Sequence, residues 1–253
     1  MFFGVDIGGT TVKIGAFNDY KLIEKWAIEV DYTNLDGMID SICDSIKSKG
    51  AKVDGIGVGC PGFIKNGIVE SSANIPCLVN VNLVKEIQSR IDTKVGILND
   101  ANAAALGEAK YFGLENCLFI TLGTGVGGGL VVNGKVLEGA HGAFMEIGHL
   151  HIDDTYNFTC GCGHKGCVET LSSATGLINI AKSLLGKLPT KLQKEFTAKD
   201  VFDLAKANDP LALESVNIFS DYLGKALANV CILVDPGTVM LGGGVSNAGD
   251  EEK

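Results

Sequence analysis

Residues 97–108 read ILNDANAAALGE, and this stretch decides the fold. The apolar run before Asn99 is typical of a buried strand, and the Ala-rich segment after Asp100 has high helix propensity. The pattern predicts a strand that delivers a carboxylate to its carboxyl end, the edge at which open α/β sheets bind ligands. The alternative is that Asp100 or Asn102 serves only as a helix N-cap, a role that both residue types fill well.

Glycine-rich turns follow two other predicted strands. FGVDIGGTTVKIG at residues 3–15 and FITLGTGVGGGLVV at residues 119–132 share the order strand, glycine turn, strand. This repeat predicts a structural duplication, with two α/β domains at residues 1–105 and 106–253 that present their turns to a shared cleft. Glycine lets backbone N–H groups approach phosphate oxygens closely, although neither turn has the lysine of a GxxxxGK[ST] loop. Taken alone, each turn could be the tip of an ordinary hairpin.

Composition and charge exclude several classes of protein. The chain has 253 residues, of which 46% are hydrophobic and 34 are glycine, as expected for a core-bearing protein with many tight turns. A net charge of −9 leaves no basic surplus for a nucleic-acid partner. No apolar run reaches membrane-spanning length and the N-terminus has no basic, cleavable leader, so we expect a cytoplasmic protein without a membrane partner.

Apolar residues at helical spacing predict several further helices. One begins at Leu35 and ends near Gly50, and the others cover residues 82–91, 170–185, 200–207 and 210–230. A last strand at residues 238–241 leads into a third glycine run at residues 242–244. Residues 245–253 are polar, and we expect no further element there.

Three of the eight cysteines cluster in CGCGHKGC at residues 160–167. Such crowding with histidines, in a chain without a secretion signal, indicates a metal site and argues against disulfides. Three thiolates and one imidazole suit a closed tetrahedral zinc site, which is structural because it leaves no position open for water. The predicted ligands are His149, Cys160, Cys162 and Cys167. His151 and His164 are alternative fourth ligands, and the remaining alternative is a set of reduced cysteines without metal.

Glu146, His149 and Glu169 lie on either side of the cysteine cluster. With a metal holding the intervening loop, these side chains could form a fixed ring of acceptors for vicinal hydroxyls. A sugar is the ligand that such a ring suits. The alternative for each residue taken singly is an ordinary surface carboxylate or a hydrogen-bonded histidine.

Taken together, these motifs resemble the ROK family (repressors, open reading frames, kinases), which has the actin-like ATPase, ribonuclease H-like fold. The matching motifs occur in the family's order and cover nearly the whole chain: DIGGT, LNDANAAALGE, TLGTGVGGG, EIGHL and CGCGHKGCVE. The resemblance implies an ATP-dependent, glucokinase-like hexokinase that phosphorylates the 6-hydroxyl of glucose or a related hexose. The alternatives are an N-acetylmannosamine kinase and, from another class, a catalytically inactive sugar-binding or regulatory protein.

The resemblance also implies roles for single residues. Asp100 looks like the family's catalytic base. The residues implied in sugar binding are Gly62, Asn74, Asn99, Asp100, Glu146, His149 and Glu169. The residues implied in binding ATP and Mg²⁺ are Asp6, Gly8, Gly9, Thr10, Thr11, Lys13, Gly123, Thr124 and Gly125, with Gly242, Gly243 and Gly244 facing adenosine. A zinc-braced loop and a homodimer are further implications.

The sequence departs from the family pattern in two places. The family usually continues after the third glycine run through further C-terminal helices, whereas this sequence ends at Lys253. The interval from His149 to Cys160 is one residue longer than usual. The family's repressors carry a helix-turn-helix ahead of the DIGGT-like strand, and because only five residues precede Asp6 we do not expect DNA binding.

Overall fold

The computed structural model describes residues 1–9, 11–72 and 75–249, so Thr10, Ala73, Asn74 and residues 250–253 lie outside the described residues. The chain divides into two compact units. The first unit is Met1–Glu108 with Val136–Phe144, and the second is Ala109–Lys135 with Met145–Lys253. The domain limits 1–105 and 106–253 stay a prediction, and nothing in the sequence pattern indicated that Val136–Phe144 clusters with the first unit.

The first unit contains a main sheet, a small sheet and two helices that pack on the main sheet. Its strands are β1 (Phe2–Ile7), β2 (Val12–Asn18), β3 (Lys21–Ile28), β4 (Gly55–Cys60), β5 (Phe63–Lys65), β6 (Ile68–Ser71), β7 (Val81–Asn82) and β8 (Val95–Asn99). Its helices are α1 (Leu35–Lys47) and α2 (Leu83–Gln88). Alternate residues of β1 and β2 point into the core and meet the buried face of α1, as the sequence periodicity predicts.

The main sheet of the first unit has the strand order β3-β2-β1-β4-β8. β1 runs antiparallel to β2 but parallel to β4, and β4 runs parallel to β8. In this register Asp6 lies beside Gly59, and Cys60 lies beside Asn99. Because parallel strands end at a common edge, the first glycine turn and the start of the Ala-rich helix lie at the same end of this sheet.

The second unit repeats the arrangement of the first hairpin. Its strands are β9 (Cys117–Leu122), β10 (Val126–Val132), β11 (Lys135–Val136) and β12 (Thr238–Gly242), in the order β11-β10-β9-β12. β9 runs antiparallel to β10 and parallel to β12, as β1 does with β2 and β4. The predicted duplication is therefore present in the strand connectivity.

Helix α3 (Asp100–Phe112) begins in the first unit, and its residues from Ala109 onward belong to the second. The remaining helices pack with the second sheet in one apolar core: α4 (Glu169–Ser172), α5 (Ala174–Leu184), α6 (Ala198–Lys206) and α7 (Pro210–Val234). Leu118, Ile120 and Leu122 of β9 are buried against this helical layer. None of the described helices combines the length and apolar composition needed to cross a bilayer.

The single helix predicted over residues 170–185 is wrong. Ser173 has extended backbone angles and separates α4 from α5, and its hydroxyl accepts a hydrogen bond from the Gly176 N–H at 3.0 Å. A serine that caps a new helix competes with continuation of the old one, so the apolar spacing ran across a break. Near the end of the chain, Ser246–Gly249 forms a 3₁₀ turn where no element was expected.

Candidate functional site

Asp100 stands at the junction of β8 and α3, where the sequence places it. It is exposed, and its Oδ1 accepts a hydrogen bond from the Ala101 N–H at 2.8 Å. Asn99 supplies the helix cap, because its Oδ1 accepts hydrogen bonds from the N–H groups of Ala101 at 3.0 Å and Asn102 at 3.2 Å. Asn99 is therefore the main cap of the helix, and Asp100 shares the Ala101 N–H with it through Oδ1.

The amide nitrogen of the Asn99 side chain holds the segment that contains Gly62. Asn99 Nδ2 donates to the Gly62 carbonyl oxygen at 3.1 Å. Gly62 has φ of 114°, and a Cβ there would lie 1.8 Å from the Ser71 carbonyl oxygen, so only glycine fits. Asn99 thus ties the turn after β4 to the start of α3. Asn74, which the family resemblance also implies in sugar binding, lies outside the described residues.

We expect Asn99→Ala to lower the free energy of unfolding by about 1–2 kcal/mol, since it removes both the cap and the bond to Gly62. Asn99→Ser keeps a capping oxygen but loses the donor to Gly62, and should cost about 0.5–1 kcal/mol. Urea denaturation of both variants measures the two contributions. Equal stability of Asn99→Ala and the parent protein would contradict this dual role.

The first glycine turn begins at the carboxyl end of β1. Asp6 is exposed, with Lys13 Nζ 3.8 Å from its Oδ2. The Gly8 N–H donates to the Thr11 carbonyl oxygen at 3.1 Å, which closes the turn. The Tyr32 hydroxyl donates to the Gly8 carbonyl oxygen at 2.6 Å. Gly9 faces open space, and Thr10 lies outside the described residues.

The second glycine turn, residues 123–125, is held by the segment around α4 and α5. The Gly123 N–H donates to the Gly125 carbonyl oxygen at 3.0 Å. The Ala174 N–H donates to the Gly123 carbonyl oxygen at 2.9 Å, and the Thr175 hydroxyl donates to the Thr124 carbonyl oxygen at 2.9 Å. The break at Ser173 is what exposes the Ala174 N–H for this contact.

Glu169 joins the second glycine turn to the cysteine cluster. Its Oε2 accepts a hydrogen bond from the Val126 N–H at 3.2 Å, and its Oε1 lies 3.5 Å from Cys160 Sγ. A Cβ on Gly125 would come within 2.1 Å of Glu169 Oε2, so a side chain at position 125 would displace this carboxylate. Glu169, one of the acceptors predicted to bind sugar hydroxyls, therefore already has hydrogen-bond partners within the second unit.

The predicted metal ligands form one cluster. The ligand atoms of His149, Cys160, Cys162 and Cys167 all lie within 4.8 Å of one another. Cys162 and Cys167 Sγ atoms are 3.7 Å apart, and Cys160 Sγ is 3.4 Å from His149 Nδ1. Tetrahedral zinc with ordinary bond lengths places sulfur pairs about 3.8 Å apart and sulfur–nitrogen pairs about 3.6 Å apart. The donor set therefore fits zinc.

The two alternative histidines have other partners. His151 Nε2 lies 3.1 Å from Asp154 Oδ1. His164 Nδ1 lies 3.6 Å from Cys162 Sγ, and hydrogen bonds from His164 lower the pKa of Cys162 to about 6. A deprotonated Cys162 is the form that binds metal. The group whose ligand atoms lie within 4.8 Å of one another contains His149 and neither His151 nor His164, and the choice of His149 as fourth ligand stays a prediction.

The loop that carries the cluster is anchored on both sides. Within it, the Cys160 N–H donates to the His164 carbonyl oxygen at 2.8 Å, and the Ile152 N–H donates to the Gly166 carbonyl oxygen at 2.8 Å. From outside the loop, the Tyr222 hydroxyl of α7 donates to Asp153 Oδ1 at 2.6 Å. On its amino-terminal side, the His149 N–H donates to the Glu146 carbonyl oxygen at 3.0 Å, so the loop begins in a fixed turn.

The third glycine run follows β12 and packs against β9. A Cβ on Gly242 would meet the Phe119 ring at 2.7 Å, and Gly243, at φ of 89°, approaches the Leu122 carbonyl oxygen. Gly244 has open space beside it. Packing accounts for the first two glycines, and Gly244 is free to approach a ligand.

Two residues that orient the glycine turns escaped sequence reasoning. Tyr32 lies in the connection between β3 and α1, and Thr175 lies in the first turn of α5. Neither belongs to a motif, and each contacts a carbonyl oxygen distant in sequence. No local signal could have identified either residue.

Comparison with known proteins now places the chain. The model of the ROK family matches residues 2–251. The chain belongs to the ROK family. This ROK chain is 37% identical to a glucokinase of Halalkalibacterium halodurans over 98% of its own length and 82% of that protein. It is 33% identical to an N-acetyl-D-glucosamine kinase of Mannheimia succiniciproducens over 98% of its own length and 85% of that protein.

A solved relative shares the fold of this ROK chain. The structure of a ROK family glucokinase from Streptomyces griseus in complex with glucose and AMPPNP aligns with a TM-score of 0.77 and 30% identity. The alignment covers 98% of this chain and 84% of that one. The α/β, actin-like fold class predicted from sequence is thereby confirmed, as is the resemblance to the family.

Proposed function

We propose that this ROK protein is an ATP-dependent kinase that phosphorylates the 6-hydroxyl of glucose or a closely related hexose. The observation that carries the proposal is the position of Asp100. Its exposed carboxylate stands at the carboxyl edge of three parallel strands, and the neighbouring Asn99 accepts two N–H groups at the start of the helix. The 37% identity to a glucokinase over nearly the whole chain supports the choice of substrate class.

Asp100 is the catalytic base in this proposal. Its carboxylate accepts the proton of the primary hydroxyl as that oxygen attacks the γ-phosphorus of ATP in line with the departing ADP oxygen. The bond formed is oxygen to γ-phosphorus, and the bond broken joins γ-phosphorus to the β,γ-bridging oxygen. Asp100 Oδ1 accepts the Ala101 N–H, so Oδ2 is the oxygen that we assign to receive the proton, while Asn99 provides the larger part of the helix cap.

The residues that we assign to sugar binding are taken here for each unit by itself. In the first unit, Asn99 donates one Nδ2–H to Gly62, and we assign its second Nδ2–H to a sugar hydroxyl. Gly62 and Asn74 are further proposed contacts, on the family resemblance alone. In the second, Glu146, His149 and Glu169 accept or donate to the ring hydroxyls. His149 directs Nδ1 toward Cys160, so its Nε2 is the nitrogen that remains for sugar.

The glycine turns hold the nucleotide. The N–H groups of Gly8 and Gly123 close the two turns, so we assign the backbone N–H groups of Gly9, Thr124 and Gly125 to phosphate oxygens. The hydroxyls of Thr10, Thr11 and Thr124 are assigned as added donors. The exposed carboxylate of Asp6, with Lys13 beside it, is suited to Mg²⁺ through water. Gly242, Gly243 and Gly244 face adenosine, with Gly244 as the glycine open to it.

Zinc is the structural cofactor of this proposal. His149, Cys160, Cys162 and Cys167 hold it, and a closed site of this kind braces its loop. The bracing fixes His149, whereas Glu169 is held by the Val126 N–H. We further propose that the protein works as a homodimer, on the family resemblance alone.

An N-acetylhexosamine kinase is the second candidate. The observation that favours it is the 33% identity to an N-acetyl-D-glucosamine kinase over 98% of this chain. The chemistry at Asp100 would be unchanged, because both sugar classes offer the same primary hydroxyl. The difference would lie in room beside the 2-position of the sugar.

ADP release with MgATP and a panel of sugars tests both candidates. The panel contains glucose, mannose, N-acetylglucosamine, N-acetylmannosamine and, as matched control, 6-deoxyglucose. We expect glucose or mannose to give the highest kcat/KM, and 6-deoxyglucose to bind without turnover. Preference for an N-acetylated sugar would support the second candidate, and absence of turnover with every sugar would contradict the kinase proposal.

A further inference from the structure

Glycine-rich turns have a weakness as phosphate sites. A peptide unit flanked by glycine rotates easily, because glycine accepts both signs of φ at little cost. Rotation by half a turn replaces the N–H donor by a carbonyl oxygen, which repels a phosphate oxygen. A turn that binds phosphate through its backbone therefore needs contacts that fix the peptide orientation.

In the first unit such a contact comes from Tyr32. Its hydroxyl donates to the Gly8 carbonyl oxygen at 2.6 Å. Burial, together with the negative charge of Asp6, raises the pKa of Tyr32, so the phenol keeps its proton and remains a donor at neutral pH. The carbonyl of the Gly8–Gly9 peptide unit is thus held toward the connection between β3 and α1.

In the second unit the corresponding contacts come from the start of α5. The Thr175 hydroxyl donates to the Thr124 carbonyl oxygen, and the Ala174 N–H donates to the Gly123 carbonyl oxygen, both at 2.9 Å. Two successive carbonyls of the turn are therefore directed to the same side, toward α5.

Peptide geometry fixes where the N–H groups point. The described residues contain no cis peptide bond, and in a trans peptide the C=O and the following N–H point in opposite directions. Holding the Gly8 carbonyl toward Tyr32 therefore turns the Gly9 N–H away from Tyr32. Holding the Gly123 and Thr124 carbonyls toward α5 likewise turns the N–H groups of the next two residues, Thr124 and Gly125, away from α5.

We propose that Tyr32 and Thr175 are positioning residues for the nucleotide phosphates: their hydroxyls hold the two glycine turns with N–H groups, not carbonyl oxygens, directed at phosphate. The inference rests on the proposed kinase function and adds two residues outside the family motifs to it. Thr175 is exposed and its bond is made at the surface, so the hydroxyl contributes orientation of the turn more than stability of the core.

Isothermal titration with the magnesium complex of β,γ-imido-ATP, and separately with the preferred sugar, tests the proposal. We expect Tyr32→Phe and Thr175→Val each to raise the nucleotide Kd about 3- to 10-fold, the effect of one hydrogen bond. Thr175→Ser keeps the hydroxyl and should restore the nucleotide Kd to within about twofold of the parent. The sugar Kd should stay unchanged in all three variants.

Matched control variants distinguish a specific effect on the glycine turns from a general loss of structure. Tyr20→Phe removes a hydroxyl from an exposed tyrosine, and Ser183→Ala removes a hydroxyl on the same helix that donates only to the Ile180 carbonyl oxygen. Both controls should bind nucleotide as the parent does. Parent-like nucleotide Kd values for Tyr32→Phe and Thr175→Val would overturn the inference alone. Parallel loss of sugar and nucleotide affinity in these variants would also overturn it, whereas a parent protein that binds no nucleotide would overturn the kinase proposal with it.

Discussion

Asp100→Asn is expected to lower kcat for sugar phosphorylation by about 10²- to 10⁴-fold, the range that loss of a general base produces. Asparagine has nearly the shape of aspartate but cannot accept the proton of the attacking hydroxyl. The helix cap should survive, because Asn99 Oδ1 accepts the N–H groups of both Ala101 and Asn102, and the amide oxygen introduced at position 100 can still accept the Ala101 N–H. The sugar Kd should therefore change little.

The measurement is ADP release under saturating sugar and MgATP, with sugar binding followed by titration calorimetry. Glu115→Gln, which neutralises an exposed carboxylate beyond the end of α3, is the matched control and should keep parent activity. A kcat for Asp100→Asn within a few-fold of the parent would remove Asp100 from the role of base. Loss of sugar binding together with activity would indicate a contact role instead.

Loss of the bound zinc is expected to lower the thermal stability of the protein strongly. Cys167→Ser replaces a buried ligand, and we expect bound zinc to fall from about one per chain to nearly none. Metal binding to the folded state contributes directly to stability, so Tm should fall by roughly 5–15 °C. Chelation of the parent protein should produce a similar shift.

Elemental analysis and thermal unfolding give the two readouts. Cys231→Ser, a cysteine outside the cluster, is the control and should keep both the zinc content and the Tm. Cobalt(II) in place of zinc should give the intense visible bands of a tetrahedral thiolate site. A parent protein that carries no zinc after expression with zinc in excess, and whose Tm does not respond to chelators, would contradict the metal assignment.

Local patterns predicted most of the elements. β1, the boundary between β8 and α3, and the buried face of α1 each follow from apolar periodicity over a few residues, and the repeated glycine turns indicated two related units. The Cys₃His metal site could be predicted from the sequence because three of its four ligands lie within eight residues. The family resemblance and the fold class are confirmed, while the roles of the single site residues stay predictions.

Other features depend on partners that are distant in the chain. Asn99 contacts Gly62, Glu169 contacts Val126, and Tyr32 contacts Gly8, and each pair meets only because strands and loops have assembled. The break at Ser173 was missed for a different reason, because its local cap on the Gly176 N–H lies within a run of residues that keeps apolar helical spacing.

The sequence by itself determined which chemistry this protein carries: a carboxylate at a strand end, glycine turns, and three thiols with an imidazole. Residue type and short-range spacing are enough to predict these groups, because apolar periodicity and the spacing of metal ligands are visible within a few neighbouring residues. Only the tertiary structure decided how those groups are oriented. Orientation depends on hydrogen bonds whose partners come together through sheet register and helix packing. The sequence around one partner does not indicate which distant residue the other partner is.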